Sequence, residues 1–341
     1  KVLWAMVNKL VADKKYNITI YSDVIEDKQA MMDNVNRFFG YNLKLSDFNM
    51  LEIKSGYLTY AHHWKVFSRY LEALSHALVA FDALDHFMPD IFLESFTAPF
   101  APISAKILNP HLNVQTYLHY PFTSKQFLSR YSTTFMDSSK GVLARAFAAF
   151  KYVYHYGLYL IYKSMGFFVD VCYSNSTWTQ RLMDGIWGHG SCEILYPPCN
   201  IDEFYTDDFN KKSRTVISVA QFRWEKRQDV QLDCIKYHQN KHPESTYKFR
   251  IIGNSKFVES ALVFKQLQDK IKNEGIKNVE LIKDAKMEEL RDYIKDGSLG
   301  IHTLINEPFG ITIAEMLAGG VYILAHDSAG PKDRSEERRV G

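Results

Sequence analysis

At 341 residues the chain is long enough for two domains of ordinary size, each with its own core. A formal net charge of +2 and the lack of a basic tail argue against a nucleic-acid partner. Cys172, Cys192, Cys199 and Cys234 show neither Cys-x-x-Cys spacing nor zinc-finger histidine partners, and are expected as reduced thiols in a cytosol-facing protein. No signal peptide or membrane-crossing helix is visible. The first residue is Lys1 rather than Met, and the polypeptide reads as a fragment at both ends, with any N-terminal anchor outside it.

Apolar positions from Val2 to Val11 recur at helical spacing, and Ile18–Tyr21 reads as a short buried strand. An amphipathic helix is predicted over Tyr60–Phe87, followed by strands at Phe92–Ser95 and Asn113–His119. Val169–Asn175 is a further strand, with Ser176 or Thr177 opening the next helix. Glu193–Tyr196 follows, and Pro197-Pro198 stops it. Residues 200–214 are polar and irregular and are expected as a linker between a first domain, 1–199, and a second, 215–333. Short apolar strands at Thr215–Ala220, Tyr247–Ile252, Val279–Ile282, Gly300–Thr303 and Val321–Ala325 alternate with helical segments. That rhythm predicts a parallel sheet covered on both faces. Both halves carry it, so the expected class is α/β, two doubly wound Rossmann-like domains facing a cleft. Residues 334–341 have no core pattern and are expected to be a non-native tail outside the fold.

The most informative stretch is Asn306-Glu307-Pro308-Phe309-Gly310-Ile311, running on to Glu315. Phe309, Ile313 and Leu317 recur at helical spacing after a strand-like run, so strand, loop and helix follow in order. Gly310 at the helix mouth has no side chain to block a ligand, and the first backbone amides there suit a phosphate. Glu307 precedes the helix and Glu315 lies two turns inside it, on the order of 10–12 Å apart. They are too distant to share a proton or a metal. The spacing suits a ligand with a hydroxyl-bearing ring on each side of a diphosphate. A loop acid at the positive end of a helix is otherwise a common stabilising arrangement.

Arg223 and Lys226 come straight after the strand Thr215–Ala220, at the same sheet edge as the loop before Glu307. A planar fork of donors and a mobile point charge suit a diphosphate. Negative charge grows on such a group as a bond to it breaks, and fixed cations favour that state over the ground state. No Asp-x-Asp occurs, so cations rather than a bridging metal are expected, and no cofactor. Gly253 ends a strand and reads either as a turn glycine or as a point of close approach to a ligand. His119 also ends a strand, and reads either as a core histidine or as a group facing the cleft. His62-His63 are expected at the surface. The run from Arg145 to Val169 concentrates Phe and Tyr and carries Lys151 and Lys163, a core helix or one lying in a lipid headgroup layer.

The pattern Glu, seven residues, Glu, with Phe-Gly after the first acid, resembles the donor-site motif of retaining GT-B glycosyltransferases. Further words resemble the GDP-mannose-dependent α-1,2-mannosyltransferases of asparagine-linked glycosylation: Leu118-His119-Tyr120-Pro121, Asn175-Ser176-Thr177-Trp178, Tyr196-Pro197-Pro198-Cys199 and Gln221-Phe222-Arg223. The resemblance implies a GT-B fold, GDP-mannose as donor and a dolichol-linked oligosaccharide as acceptor. It implies action at the membrane surface, on the cytosolic face of the endoplasmic reticulum. By the same resemblance Arg223 and Lys226 hold the donor phosphates, Glu307 the hexose and Glu315 the ribose, beside Phe309, Gly310 and Ile311. His119 would sit beside the transferred sugar, and the leaving diphosphate would help deprotonate the acceptor. Trp224 stands where that family usually has proline, and its glycine-rich donor loop is absent ahead of Lys1. The alternatives are another GT-B hexosyltransferase with a different lipid acceptor, and a non-catalytic membrane-docked subunit.

Overall fold

The computed structural model describes residues 2–337 apart from 24–26, 60–63, 66, 96, 97, 99, 138, 200, 209–211, 256 and 257. The His62-His63 pair and residues 338–341 therefore lie outside the described residues. The chain divides into two compact units, Lys1–Tyr196 and Pro197–Gly341.

In the first unit, α1 (Val2–Asp13), β1 (Thr19–Ser22), α2 (Lys28–Phe39) and β2 (Asn49–Glu52) come first. β1 and β2 form a parallel pair of their own. Asp27 caps α2 by accepting from the Ala30 amide at 2.9 Å, and Gly40 closes it in the left-handed region. Next come α3 (Ser68–His86), β3 (Ile91–Glu94), α4 (Ala101–Leu108), β4 (Asn113–Leu118) and α5 (Lys125–Met136). The unit finishes with α6 (Val142–Met165), β5 (Val171–Ser174), α7 (Thr177–Trp187) and β6 (Glu193–Ile194). The sheet is wholly parallel in the order β3-β4-β5-β6, and its apolar residues pack against α3, α4 and α6.

α6 carries two different faces. Leu158, Tyr159, Tyr162 and Met165 are buried, whereas Leu143, Phe147, Phe150 and Val153 stand at least half exposed. The aromatic run is thus a core helix on one side and an uncovered apolar strip on the other. Among the described residues no helix is long and apolar enough to cross a membrane.

The cysteine expectation needs correcting. Cys172 on β5 and Cys192, just before β6, are joined in a disulfide, with Cα atoms 4.4 Å apart. Parallel pairing of β5 with β6 brings together two sulfurs that are 20 residues apart in sequence. Cys199 and Cys234 are free thiols.

In the second unit, α8 (Ile201–Phe204) leads into β7 (Thr215–Val219), α9 (Gln228–Lys241), β8 (Lys248–Gly253) and α10 (Val258–Glu274). Then follow β9 (Val279–Lys283), α11 (Met287–Asp296), β10 (Leu299–His302), α12 (Ile311–Ala318), β11 (Tyr322–Ala325) and α13 (Ala329–Glu337). Phe204 is buried among Ile217, Ile294 and Met316, so part of the segment read as linker belongs to this unit's core. The sheet is parallel in the order β11-β10-β7-β8-β9. β7 is buried along its whole length, as a central strand covered on both faces must be. From β7 the chain builds outward through β8 and β9, then returns to place β10 on the other side. The order therefore reverses between β7 and β10, where ligands of open α/β sheets bind beyond the strand ends.

Candidate active site

Two loops leave the carboxyl ends of β7 and β10 at that reversal. After β7, Phe222 is wholly buried and pins the loop, while Gln228 donates to the Gln221 carbonyl at 2.9 Å. A single tight turn over Trp224–Lys226 follows, and Arg227 takes a left-handed conformation (φ 53°) to start α9. After β10, the Thr303 hydroxyl donates to the Lys226 carbonyl at 2.6 Å and receives a bond from Gln231 at 2.8 Å. The two loops are thus laced together across residues 77 apart in sequence. The second loop is held from behind as well. The Ser328 hydroxyl accepts from the Asn306 amide at 2.9 Å, and the Gly330 amide donates to the Glu307 carbonyl at 3.0 Å.

This scaffold places three charged or polar side chains at one point. Glu307 Oε2 accepts from Lys226 Nζ at 3.1 Å and from His302 Nε2 at 3.1 Å. Side-chain exposure is 20% for Lys226, 14% for Glu307 and 3% for His302, so solvent screening is weak. Burial by itself would raise the Glu307 carboxyl. The His302 hydrogen bond and the Lys226 charge overcome it and hold the group down at about 2. Glu307 is therefore ionised at neutral pH, and a carboxylate only accepts, so Nε2 of His302 carries the proton. Oε1 makes no hydrogen bond among the described residues, and is left to accept from a ligand hydroxyl.

Gly310 opens α12 with φ 79°, a conformation that disfavours any side chain, and its carbonyl takes the Ile313 amide at 3.1 Å. The amides of Ile311 and Thr312 then lack intrahelical partners. Phe309 is covered on one face by the Arg334 guanidinium at 4.4 Å, and Arg334 also donates to the Phe309 carbonyl. The segment expected to lie outside the fold thus supplies part of α13 and a side chain over this loop.

The remaining expected residues are placed as follows. Arg223 shares the β7 loop with Lys226, but its guanidinium is half exposed and pairs with Glu225 at 3.3 Å. Glu315 lies in the second turn of α12 and is 3% exposed. Gly253 ends β8, where a Cβ would meet the Ala220 carbonyl at 2.3 Å and the Phe222 ring at 3.0 Å. Its lack of a side chain serves the approach of the β7 loop. His119 belongs to the first unit, directly after β4. Its ring stands edge-on to Tyr117 at 5.1 Å and its carbonyl accepts from Asn175 at 2.8 Å. Burial lowers its pKa, against a raising hydrogen bond with the Ser95 backbone.

Sequence reasoning missed His302, Thr303 and Gln231. The available signal was parity: on β10 the inward positions are Gly300 and His302, and a histidine at a buried strand position needs a partner.

The matches to known proteins cover both units. Residues 1–187 match the family described as ALG11 mannosyltransferase N-terminus, and residues 202–338 match Glycosyl transferases group 1. A Xenopus laevis protein named GDP-Man:Man(3)GlcNAc(2)-PP-Dol alpha-1,2-mannosyltransferase is 32% identical, over 97% of this chain and 70% of its own length. The Homo sapiens protein of the same name is 29% identical over the same shares. Among solved structures, apo OtsA superposes with a TM-score of 0.66 at 11% identity, covering 96% of this chain and 82% of that one. Anabaena HepE in complex with UDP and glucose gives 0.60 at 10% identity, covering 96% and 77%. At such identities the superpositions speak for the fold, which is GT-B. With a family match over more than half its length, the chain belongs to the ALG11 mannosyltransferase family.

Proposed function

We propose that this chain is a retaining glycosyltransferase that moves mannose from GDP-mannose to a dolichol-diphosphate-linked oligosaccharide in α-1,2 linkage. The observation that carries this is the divided Glu307 carboxylate. Lys226 and His302 fix Oε2, Oε1 is left without a partner among the described residues, and the side chain stands against Gly310 at the mouth of α12, beside the first helix amides. An ammonium has three donors, so Lys226 keeps two for phosphate oxygens while one holds Glu307.

In the reaction, the bond between the mannose anomeric carbon and the β-phosphate oxygen breaks, and charge collects on the leaving diphosphate. Lys226 and the amides of Ile311 and Thr312 stabilise that charge without reorganising, and Arg223, half exposed on the same loop, adds its guanidinium once it leaves Glu225. Glu307 accepts from mannose hydroxyls and Glu315 from ribose hydroxyls. The departing phosphate takes the proton of the incoming acceptor hydroxyl, so no separate general base is required. These cations do the work a metal does elsewhere, and the transfer proceeds without one. Assembly of asparagine-linked glycan precursors would place the enzyme on the cytosolic face of the endoplasmic reticulum membrane. The exposed apolar strip of α6 is the part of the first unit suited to that surface.

The test is a screen of nucleotide sugars against a dolichol-diphosphate-linked trimannosyl acceptor. GDP-mannose should be the preferred donor, and the product should lose its new sugar to an α-1,2-mannosidase. Faster transfer from another nucleotide sugar, or a product resistant to that enzyme, would reject the assignment.

A further inference from the structure

We propose that a cavity in the first unit, between α3 and the N-terminus of α5, binds the diphosphate and first prenyl units of the lipid-linked acceptor. This rests on the acceptor chemistry proposed above. The cavity measures about 370 Å³, in the range of small-ligand sites, and is bordered by Arg69, Tyr120, Phe122, Thr123, Ser124 and Phe127. It has a polar end and an aromatic wall.

At the polar end, the Ser124 hydroxyl caps α5 by accepting from the Phe127 amide at 3.2 Å. The amides of Lys125 and Gln126 then have no intrahelical acceptor, at the positive end of a 12-residue helix. The Arg69 guanidinium lies over the Phe122 ring at 4.6 Å. Its ion pair with Glu72 is long, 3.5 Å, and uses one of several donors. Thr123 supplies a separate observation. It is 4% exposed, yet its hydroxyl has no hydrogen-bond partner among the described residues. Leaving a buried hydroxyl unpaired costs stability, and a ligand oxygen would relieve that cost. A cation, helix amides and an unpaired hydroxyl around one space describe an anion site.

The wall decides which anion. Tyr120, Phe122 and Phe127 offer apolar surface that a bare phosphate would not use. Beyond Phe127 the rings continue: His155 meets Phe127 edge-on at 5.0 Å and stacks on Tyr131 at 4.9 Å. Lys151 then lies 6.0 Å from the Tyr131 ring and 4.5 Å from that of Phe147, on the exposed strip of α6. This chain of contacts runs from the polar end to the uncovered apolar face. A head of two phosphates with a long isoprenoid tail matches both features.

Binding of farnesyl diphosphate, inorganic diphosphate and farnesol to the full chain would be measured by calorimetry with GDP present, and GDP would be titrated separately. Farnesyl diphosphate should bind about tenfold more tightly than either of the others, since each keeps only half of the interaction. Arg69→Gln and Thr123→Val should each weaken it at least about fivefold, while GDP binding stays unchanged. Thr123→Val should also melt no lower than the parent, because it removes an unpaired group. Equal binding of farnesol, or variants that bind farnesyl diphosphate like the parent, would overturn the inference. If GDP fails to bind while farnesyl diphosphate still responds to the two substitutions, the donor reading falls and the cavity stands.

Discussion

The two ends of this protein's chemistry are built in opposite ways. In the second unit the charges meet each other first: Lys226, His302 and Glu307 satisfy one another before any ligand arrives, on loops that are themselves laced through Thr303. The first unit leaves matters open, with an unpaired Thr123 hydroxyl, an aromatic-walled cavity and an uncovered strip on α6. A small, charged donor demands a rigid, preorganised cluster, because stabilising transient charge depends on donors that do not move. A long, apolar acceptor is held by area, which tolerates looseness.

Removing the ammonium should break the comparison most severely. Lys226→Ala is expected to lower kcat about a hundredfold, the scale of one lost transition-state donor, while the protein still melts cooperatively. Turnover within a factor of two of the parent would take Lys226 out of the mechanism.

Stability against acid should separate the closed cluster from the open one. Glu307 is held at about 2, against an ordinary carboxyl value of 4.5. A depressed carboxyl stabilises the fold above its unfolded value, and that contribution drains away as pH falls from 4.5 towards 2. The gap corresponds to roughly 3 kcal/mol. Urea unfolding of the parent should show this loss between pH 5 and about pH 2, and Glu307→Gln should lack it. Parallel pH profiles for the two proteins would mean the cluster does not stabilise the fold.

His302 sharpens the same point, since it touches Glu307 rather than the donor. His302→Phe should lower kcat about tenfold and move the acid limb of the rate profile upward, because burial would then raise the Glu307 carboxyl less opposed. His302→Gln, which keeps a side-chain N–H, should restore most of the rate. Equal loss in both variants would reduce His302 to a packing role.

How much of this was legible beforehand follows from sequence distance. Glu307, Gly310 and Glu315 fall within one continuous stretch, and the alternation of strands and helices made the parallel sheets readable. Strand order is not a local property. Lys226 reaches Glu307 only because β10 lies beside β7, and the lace from Thr303 to Lys226 spans three crossovers. The Cys172–Cys192 bridge likewise needed the pairing of β5 with β6. β2 went unseen because Asn49 and Glu52 leave just two apolar residues between them. The Thr123 cavity was invisible for another reason: an unpaired hydroxyl is defined by what surrounds it.

On the open side, Phe147→Ser together with Phe150→Ser should weaken binding to anionic phosphatidylcholine–phosphatidylserine vesicles about fivefold, the loss of two half-buried rings at a lipid surface. Flotation of the full chain reads this directly. Between Asp137 and Asp170 the chain has four basic side chains and no acidic one, so salt should weaken the same binding. Unchanged flotation would remove the α6 strip as the membrane-facing surface.

The smallest expected effect tests the closed cluster from its chemistry. If Lys226, Arg223 and the α12 amides neutralise the departing diphosphate, a chelator has nothing to remove, and activity after EDTA treatment should stay within about twofold of the untreated enzyme. The Lys226→Ala variant supplies the sharper arm. With its ammonium gone, added manganese or magnesium could restore charge at the phosphates only if the site can seat a cation there. Glu307 is the acid among the described cluster residues; its Oε2 is taken by His302 and its Oε1 is left to the donor hydroxyls, so it has no oxygen to spare for a cation beside the phosphates. Rescue should therefore fail. Loss of activity with EDTA, restored by manganese in the parent protein, would mean that the cations identified here assist a metal rather than replace one.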